Sequence, residues 1–292
     1  MAKSKALKGR IRSVQNTRKI TRTMELVSTS KLKRSQDRVV ASRPYAEALR
    51  EVIAGLVTPE LSERFPLLRQ PVAPKDGGPA RAAVILITSN RGLCGAFNSN
   101  LIKEANRLVG SLEALGHTVE LHCIGRKGAG FFRYHGRSVT SERQDIGDRP
   151  TPEHAESIVA PLLRDFTNGT LGRVDLVFAS FRSALVTPPT TQQVLPVTPP
   201  SRGGRLPDYL LRPDADTILQ QLLPLYVRNA VYRGLIETVA GEHGARRTAM
   251  KNATDNAGDL IERLQRTYNR QRQAQITQEI AEIVGGAAAL QG

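Results

Sequence analysis

The chain has 292 residues, enough for one large or two ordinary domains, and its 40% hydrophobic content can fill a core. With 4% aromatic residues and no Trp it is thin for a wholly globular protein, so much of it is expected to be extended helix. A net charge of +15 and a pI near 10.4 call for an acidic neighbour or nucleic acid. No stretch reaches the roughly 18 apolar residues of a membrane span, and the basic start lacks the apolar segment of a signal peptide.

The first element expected is a helix over 1–57. Leu7, Ile11, Val14, Ile20, Met24, Val27 and Val39 lie along one seam, with a phase slip between Val14 and Ile20 where Thr17 and Thr21 stand. Up to Arg38 it carries twelve Lys or Arg against Glu25 and Asp37, so much of the chain's charge sits on this element. Pro44 is expected to kink or restart the helix near Arg43. A linker over 58–79 is marked by Pro71, Pro74, Gly77, Gly78 and Pro79.

The period then changes. Ala82 to Thr88 reads as a short buried strand, Asn100 to Leu115 as an amphipathic helix and Thr118 to Ile124 as a second strand, which makes a βαβ unit. A helix from Pro152 to Phe166 and strands at Val174 to Phe181 and Gln192 to Val197 complete a small Rossmann-like α/β domain over 80–200. Pro199, Pro200, Gly203, Gly204, Pro207 and Pro213 mark a second linker, 201–213.

The C-terminal helical region is 214–292, with Pro224 separating a short helix (Asp214 to Leu223) from a long one that starts near Leu225. From Ala249 onward the pattern has no proline. Met250, Ala253, Ala257, Leu260, Leu264, Tyr268, Ile276, Ile280, Ile283, Ala287 and Leu290 form a narrow stripe down a helix of about 100 Å. A stripe this narrow needs a partner helix, so the two terminal helices are expected to form a long antiparallel coiled coil. The fold class is α/β, with that coil carrying the small domain as a head.

Catalytic chemistry is hard to find. The loop Gly92-Leu-Cys-Gly95 follows a strand and opens a helix, but it is not the GxGxxG of a dinucleotide site, and the acidic residue nearest the ribose position, Glu120, lies in a strand pattern. The expected role of the two glycines is a tight turn, with Asn98 capping the helix. Cys94 and Cys123 lack metal or disulfide spacing and read as small buried hydrophobes. His117, His122, His135, His154 and His243 are scattered, and Asp145, Asp148 and Glu153 occupy a loop and a helix start. No nucleophile elbow, Walker loop or shielded carboxylate pair occurs, so the chain reads as a non-enzyme without cofactor or metal.

Three ordered segments carry a resemblance. LKGRIRSVQNTRKITRTMELVSTSKLKR (Leu7 to Arg34), SNRGLCGAFN (Ser89 to Asn98) and the run from Ala249 to Leu290, with ATDNA, YNRQRQAQITQEI and EIVGGAAAL, resemble the central-stalk gamma subunit of the rotary proton-translocating ATP synthases, bacterial type. That resemblance implies a rotor shaft standing in a ring of alpha and beta subunits, with an epsilon subunit and the membrane c-ring as further partners. It also implies a peripheral position on the cytoplasmic face of the bacterial cell membrane. The family's contacts to the catalytic ring fall on Met24, Arg246, Arg272, Gln273, Thr277 and Glu279. Thiol control of rotation, found with an inserted segment in photosynthetic members, is not expected.

The chain departs from the family's usual residues at Asn90 (Asp), Ala96 (Gly), Gly241, Gly244 and Arg247. Helical glycines cost about 1 kcal/mol each relative to Ala, so a softer shaft is expected near Gly241 and Gly244. The residues alone leave open a basic nucleic-acid-binding helical hairpin, which salt-sensitive binding to DNA would reveal, and an α/β enzyme with helical extensions, which turnover by the isolated chain would reveal.

Overall fold

In Arg81–Ile87 every residue after the first is buried, and successive side chains enter two different apolar clusters, so this strand must lie inside a sheet covered on both faces. The structure, a computed structural model, describes residues 2–57, 59–69, 80–198 and 214–290, without the side chains of 2–4, 59, 60, 62 and 286–290. The proline and glycine positions expected to mark linkers, from Pro71 to Pro79 and from Pro199 to Pro213, lie outside the described residues, as do the side chains of Ala287 and Leu290.

In chain order the elements are α1 (Ala2–Leu56), α2 (Pro59–Arg64), β1 (Arg81–Ile87), α3 (Phe97–Ala114), β2 (Thr118–Ile124), α4 (Arg126–Tyr134), β3 (Ser141–Arg143), α5 (Pro152–Thr167), β4 (Arg173–Ala179), β5 (Pro189–Leu195) and α6 (Ala215–Leu290). Contacts group the chain into two units, Met1–Ser28 with Arg247–Gly292, and Thr29–Arg246.

The larger unit holds a five-stranded sheet in the order β3-β2-β1-β4-β5. Its first four strands are parallel and β5 runs antiparallel to β4. Ala82, Val84 and Leu86 face α3 and α4, where Leu101, Ala105, Val109 and Phe132 meet them. Ala83, Ile85 and Ile87 face the other way, toward Leu162 and Phe166 of α5, Leu223, Val227 and Val231 of α6, and Ile53 of α1. The expected Rossmann-like α/β domain is therefore present. At the start of α5, Thr151 caps, Pro152 occupies the first turn where its missing N–H costs nothing, and Glu153 complements the helix dipole.

Neither Pro44 nor Pro224 ends its helix. α1 runs through Pro44 and α6 through Pro224. Each loses a backbone hydrogen bond there, but buried flanks (Val39, Ala46 and Leu49; Leu219, Leu223 and Val227) hold both sides, and tertiary packing outweighs the local penalty. α2, α4 and β3 are additional to the sequence pattern, because each is too short for an apolar period to show.

The two glycines at which a softer shaft is expected also meet a packing requirement. A Cβ at Gly244 would stand 2.7 Å from the carbonyl oxygen of Ala184, and one at Gly241 3.1 Å from the Phe97 ring and 3.3 Å from Thr187. The β4–β5 connection thus reaches α6 at van der Waals distance only because these positions lack side chains.

The smaller unit pairs 2–28 of α1 with 247–290 of α6. Thr21 Oγ1 lies 2.8 Å from Thr254 Oγ1, and a Cβ at Gly258 would stand 3.6 Å from Arg18 Cζ. Three residues back along one helix is four residues on along the other, so the pairing is antiparallel, as expected.

The seam differs from the apolar pattern. In α1 it runs through Leu7, Ile11, Val14, Thr21, Glu25 and Ser28, in unbroken alternating steps of three and four that pass Arg18. There is no phase slip. Ile20 and Val27 point outward, 61% and 49% exposed. In α6 the seam runs through Met250, Thr254, Ala257, Ile261, Leu264 and Tyr268, while Leu260, Ile276, Ile280 and Ile283 are exposed.

Candidate functional site

Counting in opposite directions from the Thr21–Thr254 pair sets Val14 opposite Ile261, Ile11 opposite Leu264 and Leu7 opposite Tyr268. α1 then runs out. Beyond Tyr268 nearly every α6 side chain described is exposed, including Arg272, Gln273, Thr277 and Glu279. Ile276, Ile280, Ile283 and Val284 run beside them, all between 46% and 71% exposed. Glu279 accepts a hydrogen bond from Gln275 Nε2 at 3.0 Å, and the other three have outward side chains able to reach a partner.

Met24 is half-buried beside the outward stripe of Ile20 and Val27. It sits about one turn from Thr21, so some 20 residues of α6, roughly 30 Å, separate its level from Arg272. The structure thus places five of the six expected contact residues in the smaller unit, at two separate levels. Leu26 adds to the exposed apolar surface of α1.

Arg246 belongs to the larger unit and is buried there. Its Nε and Nη2 donate to the Gly92 carbonyl at 3.3 and 3.2 Å, and Nη2 pairs with Glu242 at 2.5 Å. Burial pushes the Glu242 carboxyl above its ordinary range, and the Arg246 charge opposes that shift. The guanidinium ties α6 to the loop after β1.

That loop is fixed from several sides. Leu93 and Gly95 both have positive φ, 63° and 58°, so the turn uses the left-handed region at two positions, and Leu93 projects 60% exposed. Asn98 does not cap α3, which starts at Phe97 behind Ala96. Instead its Oδ1 accepts from Ser89 N at 3.0 Å and its Nδ2 points to Cys94 Sγ at 3.2 Å, so the side chain braces the loop across its neck.

The departure at Asn90 has a matching explanation. Its amide nitrogen donates to Gln144 O at 2.9 Å and Ile146 O at 3.2 Å, and its oxygen accepts from Arg126 N at 3.0 Å. An aspartate could supply only the last of these. Sequence reasoning missed this clamp, since its partners lie 36 to 56 residues away.

A second tie centres on Asp148. Its carboxylate pairs with Lys31 of α1 at 2.5 Å and lies 3.3 Å from His243 Nε2 of α6, while Arg38 donates to its backbone carbonyl at 2.9 Å. Burial works against the Asp148 charge, but Lys31 and His243 outweigh it and hold the carboxyl below its usual range. Burial drives His243 down to about 4, so the ring is neutral near pH 7.

A cavity of about 210 Å³ opens at the carboxyl ends of β1 and β2, where open α/β sheets bind ligands. Asp148 and Glu242 line it with Arg91 as the cation. Each of the two carboxylates already has a cation partner, Lys31 for Asp148 and Arg246 for Glu242. Cys94 and Cys123 are both buried, and burial raises both thiols, Cys123 to about 12.

The profile of the ATP synthase family matches residues 3–290. The "ATP synthase gamma chain" of Gemmatimonas aurantiaca is 60% identical over 100% of both chains. The chain belongs to the ATP synthase gamma-chain family. The gamma chain of Frankia casuarinae is 41% identical, over 96% of this chain and 95% of that one.

Among solved structures, a chain of the Euglena gracilis mitochondrial ATP synthase OSCP/F1/c-ring assembly matches with a TM-score of 0.67 at 18% identity, over 99% of this chain and 95% of that chain. A chain of the rotor of the same enzyme matches with a TM-score of 0.65, over 94% and 99%. At that identity the likeness speaks to the fold, an α/β unit with long terminal helices. Family membership across the whole length favours a gamma-type shaft over a basic nucleic-acid hairpin or a free-standing α/β enzyme. Among the described residues no helix is long and apolar enough to cross a membrane.

Proposed function

We infer that this chain is the central rotor shaft of an ATP synthase, coupling proton-driven rotation of a membrane ring to ATP synthesis or hydrolysis in a ring of alpha and beta subunits. The epsilon subunit and the c-ring are its partners at the other end, and the shaft works as a peripheral, non-catalytic subunit on the cytoplasmic face of a bacterial cell membrane. The observation that carries this reading is the outward apolar surface of the smaller unit. Ile20, Leu26, Val27, Ile276, Ile280 and Ile283 face outward, while the seam mixes apolar Met250, Ala257 and Ile261 with Thr21, Glu25, Ser28 and Thr254. A helix pair shaped only to fold would leave fewer large apolar groups in water, so the outward apolar surface is there for a surrounding partner.

Basic side chains rim that surface, among them Lys19, Arg22, Arg263 and Arg270, which suits acidic lobes that approach as the shaft turns. In this reading Met24 slides against such a lobe, Arg246 acts through the Gly92 loop that it holds, and Arg272, Gln273, Thr277 and Glu279 give the bearing a different face at each angle. Protons pumped per ATP hydrolysed, in vesicles bearing the assembled complex, are the measurement. Met24→Lys and the triple change Arg272→Ala, Gln273→Ala, Thr277→Ala should each lower that ratio several-fold while the ring still binds nucleotide. Unchanged pumping in both would remove these residues from the contact surface. Loss of nucleotide binding in a properly assembled triple variant would assign them to a nucleotide site instead.

A further inference from the structure

We propose that Ser141, His122 and Glu120 form a nucleophile, base and carboxylate triad that makes the Ser141 hydroxyl an acceptor for an activated acyl group, such as that of an acyl phosphate or an aryl ester. β2 and β3 run parallel with His122 directly beside Ser141, and Glu120 lies two residues back along β2, so all three side chains leave one face of the sheet. His122 Nδ1 lies 2.7 Å from Ser141 Oγ, and His122 Nε2 lies 3.8 Å from Glu120 Oε2. β3 is an edge strand on which Ser141 is exposed, so a donor can reach the hydroxyl, while His122 and Glu120 are half-buried.

The surroundings select the tautomer that this chemistry needs. Nε2 is buried without a hydrogen bond, and the charged group that it meets is the Glu120 carboxylate. With the ring proton on Nδ1, the Nε2 lone pair would face that negative charge. With the proton on Nε2, the N–H points its positive end at Glu120, and Nδ1 keeps a lone pair for the Ser141 proton. Arg81 of β1 fixes the carboxylate from the other side, Nε at 2.7 Å and Nη2 at 2.5 Å from Oε1. Burial holds His122 below its usual range against the pull of Glu120 and of Asp165 on α5, so near pH 7 the ring is neutral and able to take a proton. Ser99, Ser111 and Ser157 donate instead to backbone carbonyls, which are not bases.

The step is one acyl transfer. Ser141 Oγ bonds to the acyl carbon as its proton passes to His122 Nδ1. The bond to the leaving group breaks, the leaving group departs with the electron pair, and the imidazolium returns its proton to the leaving group or to water. While the imidazolium exists, Glu120 balances its charge. The product is an alkyl ester, far less activated than the donor, so it persists. Ser141 is thus a modification site and not a site of turnover, and the proposal draws nothing from the rotor reading.

The test is p-nitrophenyl acetate on the purified full chain, with the acetylated serines located and timed by peptide mass mapping. Near pH 7 Ser141 should be acetylated about a hundredfold faster than exposed Ser99, the size of a general-base contribution. His122→Gln, which can still hydrogen-bond the hydroxyl but takes no proton, should bring Ser141 down to the rate of Ser99. Glu120→Gln should slow Ser141 about tenfold, through loss of the preferred tautomer. In the parent chain the Ser141 rate should rise with pH as His122 loses its proton, with a midpoint below 6.5, and that rise should vanish in His122→Gln. Ser99 is the internal standard in each variant, so a general loosening of the fold would raise both serines together. Equal rates at Ser141 and Ser99 in the parent chain, or a Ser141 rate that either variant leaves unchanged, overturns the proposal.

Discussion

Arg246 offers the sharpest test of whether a residue expected at a partner surface works there directly or from within. Its guanidinium is buried, pairs with Glu242 at 2.5 Å and holds Gly92 O through two nitrogens. Arg246→Ala leaves a buried carboxylate without its cation, a change that typically costs about 3–5 kcal/mol. Arg246→Lys keeps the charge and can still meet Glu242. It cannot span that carboxylate and the Gly92 carbonyl together, so about 1–2 kcal/mol should be lost.

The sign with pH is fixed by Glu242. Its folded-state pKa is already raised by burial, and loss of Arg246 raises it further. A group raised in the folded state contributes stability at low pH and loses it as pH rises through the folded value, so the deficit of Arg246→Ala should be larger at pH 8 than at pH 5. Glu242→Gln added to Arg246→Ala should recover about half of it, since the stranded charge is gone. Urea unfolding of the isolated chain measures all three variants without any partner present. An Arg246→Ala chain that unfolds at the parent midpoint, yet lowers proton pumping per ATP in the complex, would refute the internal tie and restore a direct surface contact.

Two other perturbations follow from the same coordinates. Gly244→Ala should destabilise by about 1–2 kcal/mol, because overlap with the Ala184 carbonyl outweighs the helix propensity gained, whereas Gly110→Ala in α3, with open space around it, should stabilise by about 0.5–1 kcal/mol; opposite shifts in urea midpoint check the pair. His243, lowered from 6.5 to about 4, contributes stability that is present above the unfolded value and lost as pH falls between those limits, up to about 3 kcal/mol. Glu242 works in the opposite sense, so His243→Gln should flatten or invert the acid limb of stability against pH, and an unchanged limb would show that the ring is not buried as described.

Much of the larger unit was legible in its sequence. The run AAVILIT between polar flanks reads as a short buried strand, and β2 matches its expected bounds, Thr118 to Ile124. α4 escaped because RKGAGFFRY pairs two glycines with three cations in nine residues, and what places it is Gly128 lying against Leu86 and Thr88, a contact no local pattern records. Asn98 reads as a cap from its place in the chain but spends its side chain on Ser89 and Cys94. Asn90, Asp148 and Glu242 were invisible as a group, since their partners come from α1, two loops and α6.

The seam of the smaller unit failed for a more general reason. Apolar period marks a face, and burial is then assumed. In α1 the face changes between Val14 and Ile20 without proline, glycine or insertion, so a continuous straight helix must carry two stripes: Leu7, Ile11 and Val14 inward, Ile20 and Val27 outward. What looked like a slip in one seam was the border between a seam and a second surface. The inward positions past that border, Thr21, Glu25 and Ser28, are polar, and they contribute less to holding the two helices together than leucines would. Alkyl groups there would add stability and give up the direction that a hydrogen bond supplies.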